Sequence, residues 1–268
     1  MENLTYWTRQ EKDPLYPDIL WNKPEQKSHA GKLAVIGGNS NSFHSVAQAS
    51  TIASSLGVGE VISVLPASLK SKLPHTPSLA FADATTTGSF SAKAADALIV
   101  ASDSTDSTLL IGDLSRNSET TTAISQFIAS TTKPIVITRD AVDILATTPN
   151  AINRDRITIL TSMPQLQALF RALFYPKPLL LSQPLIPVIE TLHKFTISYP
   201  TITIATLHRE QLIIAHDANI TTTDIKNTNY SPMSMWSGQL ATTIAALQLW
   251  NPTKPLEATT TAILYPAK

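Results

Sequence analysis

The chain contains no cysteine. That excludes disulfides, thiolate metal sites and a cysteine nucleophile, and it fits a reducing cytosol. Glycine is also scarce, at 8 residues of 268, about 3% against a typical ~7%. Phosphate-cradling loops of α/β enzymes rely on glycine for tight turns and close backbone approach, so few such sites are expected. Neither sign of charge is in excess, with 20 Lys plus Arg against 20 Asp plus Glu. Nothing global therefore points to a nucleic-acid or anionic-membrane partner. Apolar runs are short: PLLL at 178–181 falls far below the roughly 18 residues of a membrane span. The opening MENLTYWTRQEKD is polar and mixed in charge, unlike a signal peptide. A soluble, cytoplasmic protein without membrane or nucleic-acid partners is the expectation.

Hydrophobic residues make up 43% of the chain and charged residues 15%, enough to bury a large core. LAVI at 33–36 ends at Gly37-Gly38 in the manner of a buried parallel strand. Further strands are expected at 61–65, 97–100 (ALIV), 134–137 and 157–160, and a hairpin from 202–205 and 211–215. Helical spacing predicts helices at 45–56 (stopped by Gly57), 118–130, 163–174, 184–196, 238–249 and 255–264. Residues 66–95 read as irregular apart from a short helix at 67–72, and 1–30 as an arm packed on the domain. Strands alternating with helices predict an α/β fold, a mostly parallel central sheet with helices on both faces. With no repeat and no long linker, one domain over 1–268 is expected.

Taken in order, five stretches resemble the ADP/ATP-dependent NAD(P)H-hydrate dehydratases, a branch of the ribokinase-like fold. SHAGKLAVIGGNS (28–40) resembles that family's "HKG-FG-VLVIGG-S", and LGVGEVISVLP (56–66) its "SGAGLVTVATP". DALIV (96–100) with KPIVITRDAVDIL (133–145) is similar to "DALVIGPGLG … KPLVLDADALNLL". ITILTSMPQLQALF (157–170) stands where the family has "VLTPHPGEFARL", and MWSGQLATTIAAL (235–247) where it has "GGSGDVLAGIIAAL". The resemblance implies a ribokinase-like fold and a site for ATP or ADP with Mg²⁺ beside an NAD(P)-type ligand. It also implies repair of hydrated nicotinamide by phosphorylation and elimination, and possible assembly as a homo-oligomer or with a protein partner.

The same resemblance assigns roles by position. Ser237 and Gly238 keep the anion-binding half of "GSGD", where a helix N-terminus offers unpaired N–H groups and partial positive charge. The family's base falls on Gln239, a neutral amide. General-base catalysis is typically worth about 10²–10⁴ in rate. The two preceding glycines are Met235 and Trp236, and the "GPGLG" loop falls on 101–105, which has no glycine. The nucleotide-side "KG" pair falls on His208-Arg209, and the "HPGE" His and Gly on Met163 and Gln165. In "DADALN" the first Asp is Thr138, the second persists as Asp140, and the final Asn is Asp143. Gly38, Asn39, His44 and Asp140 make up the expected substrate side.

From the residues alone, Gly37-Gly38-Asn39 is either a ligand-holding strand end or a plain turn, and His44 either lines that crevice or is an exposed helix-start residue. Asp103 and Asp106 are read as turn caps rather than metal ligands, and His208 and His216 lack zinc spacing. The expectation is a degenerate homologue with chemistry lost or impaired, which retains nucleotide binding or acts as an assembly partner. The alternative is a divergent active dehydratase or small-molecule kinase in which Asp140 or another acid replaces the base.

Overall fold

The computed structural model describes residues 4–152, 154–228 and 230–265, with the side chains of Ser234 and Met235 outside that description. In chain order the elements are β1 (Trp7–Gln10), α1 (Asp18–Trp21), β2 (Lys32–Gly37), α2 (His44–Leu56), β3 (Glu60–Pro66), β4 (Leu79–Ala82) and α3 (Ala94–Asp103). There follow β5 (Ser107–Gly112), α4 (Ser118–Ser130), β6 (Ile135–Thr138), α5 (Asp140–Thr147), β7 (Ile157–Ser162), α6 (Met163–Ala172) and α7 (Leu185–Ser198). The chain closes with β8 (Ile202–His208), β9 (Gln211–His216), β10 (Asn219–Asp224), α8 (Pro232–Trp236), α9 (Gln239–Trp250) and α10 (Pro255–Ala262). All ten strands form one sheet in the order β1-β10-β9-β8-β7-β6-β5-β2-β3-β4. Only β9 runs antiparallel to its two neighbours, β8 and β10.

Both faces of the sheet are covered, as central strands buried along almost their whole length require. One face packs Leu110, Ile137 and Ile159 against apolar residues of α3 to α7. The other packs Leu109, Ile111, Val136 and Leu160 against α2, α9 and α10. Helix α9 lies in the middle of that second layer, and only Gln239 and Leu249 of its residues are not buried. Its threonines satisfy their hydroxyls without leaving the helix: Thr242 Oγ1 donates to Gly238 O at 2.9 Å and Thr243 Oγ1 to Gln239 O at 3.2 Å. Such back-bonding lets a Thr-rich helix sit in an apolar layer.

Three expectations are corrected. ALIV is part of α3, not a strand: Ala94, Ala95, Leu98 and Ser102 face inward while Val100 is 68% exposed. A four-residue apolar run cannot distinguish the two by periodicity. The strand is STLLIG, β5, buried along its whole length. The loop that follows a central strand is therefore Gly112-Asp113-Leu114, not 101–105. The N-terminal segment is also more than an arm, because β1 pairs in parallel with β10 at one sheet edge. Within 66–95 lies a further edge strand, β4, paired with β3.

The β9–β10 hairpin turns through Asp217 (φ 41°) and Ala218 (φ 60°), with His216 opposite Asn219. Two positive φ values are the demand of a type I′ turn, which favours glycine at its second position. Ala218→Gly is expected to stabilise the protein by about 0.5–1 kcal/mol, since an L side chain pays roughly that in the left-handed region. Urea denaturation would show it as a higher midpoint at unchanged slope.

Candidate functional site

Strand β2 continues outward to β3 and β4, whereas β5 continues the other way to β6, β7 and β8. The carboxyl ends of β2 and β5 therefore flank a topological switch point, where doubly wound sheets open a ligand crevice. Here the two strand ends lie so close that a Cβ on Gly37 would collide with Gly112 O. Gly38 N donates to Gly112 O at 2.9 Å. Asn39 Nδ2 donates to Asp113 O at 2.7 Å, while Asn39 Oδ1 accepts from the N–H groups of Asn41 and Ser42. The Asn39 side chain is thus spent on bracing the loop. His44 stands exposed at the first position of α2.

Asp113, in the left-handed region at φ 58°, places its carboxylate at the start of α2. Oδ2 accepts from Ser45 N at 3.2 Å and from the Ser45 hydroxyl, and Oδ1 pairs with Arg139 Nη2 at 2.7 Å. Burial by itself would raise this carboxyl's pKa. The hydrogen bonds from Ser45 and the Arg139 charge outweigh it and hold it below the ordinary carboxylate value. An anion from the chain itself occupies the place at which a helix start and an arginine would receive one from outside.

Asp140 opens α5 next to this pair. Its Oδ2 accepts from Leu114 N at 2.7 Å. Its Oδ1 is buried, has no hydrogen-bond partner among the described residues, and sits where a Cβ on Gly112 would be. Burial raises its pKa above the ordinary 3.8, the Leu114 bond and Arg139 acting against that. Thr138 Oγ1 is likewise buried and unpartnered. It lies two residues beyond Val136, on the sheet face that α9 covers. Asp143 is engaged by Arg116 at 3.4 Å and by Gln165 Nε2 at 3.0 Å, and Gln165 also reaches Arg139 O at 2.8 Å. A cleft of about 430 Å³ opens between Leu114, Arg116, Asp140, Asp143 and Thr147.

Gly238 (φ 90°) precedes α9 and leans on Ile111, so a Cβ there would strike the Ile111 side chain. Ile111 adjoins Gly112, so the α9 start stands above the same strand end as Asp140. Gln239, the first residue of α9, is half-buried. Trp236 is partly buried against the α9 layer, while the Met235 side chain falls outside the described residues. The structure brings Gly38, Asn39, Asp140, Ser237, Gly238 and Gln239 to one edge of the sheet. His208 is three strands away at the end of β8, buried, with Nε2 2.9 Å from Gln183 O. Asp113 and Arg139 escaped sequence reading; the signal was the apolar run 107–112 followed by an acid. No cluster of three or more His, Asp or Glu suited to a metal occurs among the described residues. Of the Asp113, Asp140 and Asp143 carboxylates, only Asp140 keeps an oxygen without a hydrogen-bond partner among the described residues, and that oxygen is buried.

No family model and no curated protein sequence matches the chain. Solved structures do. A ribokinase-like superfamily protein from Enterococcus faecalis superposes with a TM-score of 0.66 at 14% identity, over 95% of this chain and 84% of that one. The ADP/ATP-dependent NAD(P)H-hydrate dehydratase from Bacillus subtilis, co-crystallised with ATP/Mg²⁺, gives 0.57 at 12% identity, over 94% and 86%. A Bacillus subtilis pyridoxal kinase, in complex with ADP, gives 0.52 at 13%, over 86% and 88%. The fold is ribokinase-like, as the order of sequence segments led us to expect.

Two carboxylates that both feel the Arg139 charge respond oppositely to acid. The stability that Asp113 contributes is present above 3.8 and is lost as pH falls through its lower folded value. Asp140 has a raised folded value, so its ionisation costs stability as pH rises through the interval above 3.8. Asp140→Asn is expected to be at least as stable as the parent at pH 7, its advantage shrinking toward pH 4. Asp113→Ala strands Arg139 and the α2 start and is expected to cost about 3 kcal/mol at pH 7. Denaturant unfolding of both variants at pH 7 and pH 4 checks the signs.

Proposed function

We propose that this chain is a degenerate homologue of the NAD(P)H-hydrate dehydratases in which turnover is lost or strongly impaired. Adenine-nucleotide binding at the start of α9 is the function it retains. The observation that carries this is the α9 start itself. Gly238 holds the left-handed conformation that presents the helix N-terminus, yet where the resemblance puts the family's base this chain has Gln239. An amide leaves binding to backbone N–H groups intact and removes the base. Charge stabilisation and positioning dominate phosphoryl transfer, so such a site can hold phosphates without transferring them. Asp113 supports the reading: its carboxylate already fills the α2 start beside the switch point, leaving one helix start for an incoming anion.

A second reading is favoured by Asp140. A buried carboxylate with a raised pKa and a free oxygen has the character of a general base, and would make the chain a divergent active dehydratase or kinase.

Calorimetric titration with ATP and ADP in Mg²⁺, followed by assays of nucleotide turnover with hydrated NADH, separates the two. The first reading expects saturable binding, no turnover, and a gain of turnover in Gln239→Asp. Turnover by the parent protein that Asp140→Asn abolishes would replace it with the second.

A further inference from the structure

The opposite edge of the sheet, where β6, β7 and β8 begin, carries a cavity of about 470 Å³ that the site above does not use. Its origin is in the sequence. Pro134 and Pro200 precede β6 and β8, and Pro252 and Pro255 make the turn from α9 into α10. Proline cannot continue a ladder or a helix interior, so strand starts and helical turn part company here. The four rings leave a slot with rigid apolar walls.

Its floor is polar and already ordered. Gln248 Nε2 donates to Thr158 Oγ1 at 2.9 Å and to Thr259 Oγ1 at 2.8 Å. His216 uses one ring nitrogen on the protein side: Nδ1 lies 3.1 Å from Thr203 Oγ1 and 3.3 Å from Ile202 O. Nε2 has no hydrogen-bond partner among the described residues, and the ring lines the cavity. Burial holds the imidazole's pKa below its ordinary range, the Ile202 carbonyl and the charges of Asp217 and Glu257 acting against that. At neutral pH the ring is uncharged.

At the rim, Asp155 and Asp217 stand with Arg156, and Arg154 is close to both Asp155 and Arg156. The end of α9 and the start of α10 meet beside them, so their helix dipoles offset. The rim therefore carries no net positive charge to attract a phosphate. Apolar walls with a few fixed polar groups, in a volume of this size, are the properties of a small-molecule pocket.

We propose that this cavity binds a neutral, flat nitrogen heterocycle of purine-nucleoside size, held between the proline rings and hydrogen-bonded to His216 Nε2. A single six-membered ring would leave most of the volume unfilled, and a charged phosphate would meet the two rim carboxylates. The inference is independent of the nucleotide reading at the other sheet edge.

The test is titration of the full chain with adenosine, guanosine and AMP at pH 7.5, followed by calorimetry and ligand-observed NMR. At least one nucleoside is expected to bind, with AMP weaker than adenosine. Thr201 is exposed at the cavity mouth, so Thr201→Trp blocks entry without touching the core and is expected to abolish binding. His216→Ala is expected to weaken it about tenfold, the equivalent of one lost hydrogen bond. Absence of nucleoside binding to the parent protein, AMP binding as tight as adenosine, or binding that Thr201→Trp leaves unchanged would overturn the proposal.

Discussion

The carboxylate of Asp113 ties together parts of the chain that would otherwise end separately. It joins the end of β5, the start of α2 through Ser45, and the start of α5 through Arg139. Each of these is a place where backbone polar groups or a charge would otherwise be left facing the crevice. The geometry is demanding, because both Asp113 and Arg139 adopt positive φ. Such conformations persist only where surrounding contacts over-determine them. Here Asn39 on one side and Gln165 on the other fix the two backbones, at Asp113 O and Arg139 O respectively. The switch point of the sheet is thus braced from within.

That bracing bears on how the edge can bind a ligand. A crevice held open by glycine and filled with water exchanges its water for a phosphate at little cost. A crevice whose anion position already holds a carboxylate must break an ion pair and two hydrogen bonds first, which costs several kcal/mol when the pair is partly buried. Near the α9 start the pattern differs: Thr138 Oγ1 and Asp140 Oδ1 are buried and have no hydrogen-bond partner among the described residues. The edge is therefore uneven. One half is a settled structural joint, and the other keeps buried polar atoms unpaired.

Much of the fold was legible because its signals are local. Helix α4 begins and ends where spacing put it, Gly57 stops α2 at φ 104°, and the β8–β9 hairpin follows from two apolar runs around a polar turn. What failed was the reading of ALIV as the strand, with STLLIG left unassigned. Both are short apolar runs, and only tertiary burial distinguishes a half-exposed helix face from a strand covered on both sides. The error moved the expected phosphate loop by eleven positions, from 101 to 112, and made the site look poorer in glycine than it is. Strands β1, β4 and β10, at or next to the sheet edges, were missed because the first two are short and the third is rich in Thr. The Asp113–Arg139 pair joins residues far apart in sequence, and no periodicity announces such a contact.

The scarcity of glycine takes on a different meaning once the residues are placed. Gly112 must be glycine because Asp140 Oδ1 occupies the space of its side chain, and Gly238 because Ile111 does, each also at positive φ. Both positions belong to the carboxyl edge of the central strands. In a chain with 8 glycines, these two stand where the backbone passes close to a core side chain or to a buried acid. Those constraints are packing constraints first: they hold whether or not phosphate binds, because substituting either residue would move β5 relative to α5 or α9. The presence of glycine at both positions is accordingly explained by the fold alone. Gln239 differs from both: it is half-buried at a helix start, where an acid would fit the positive end of the helix better.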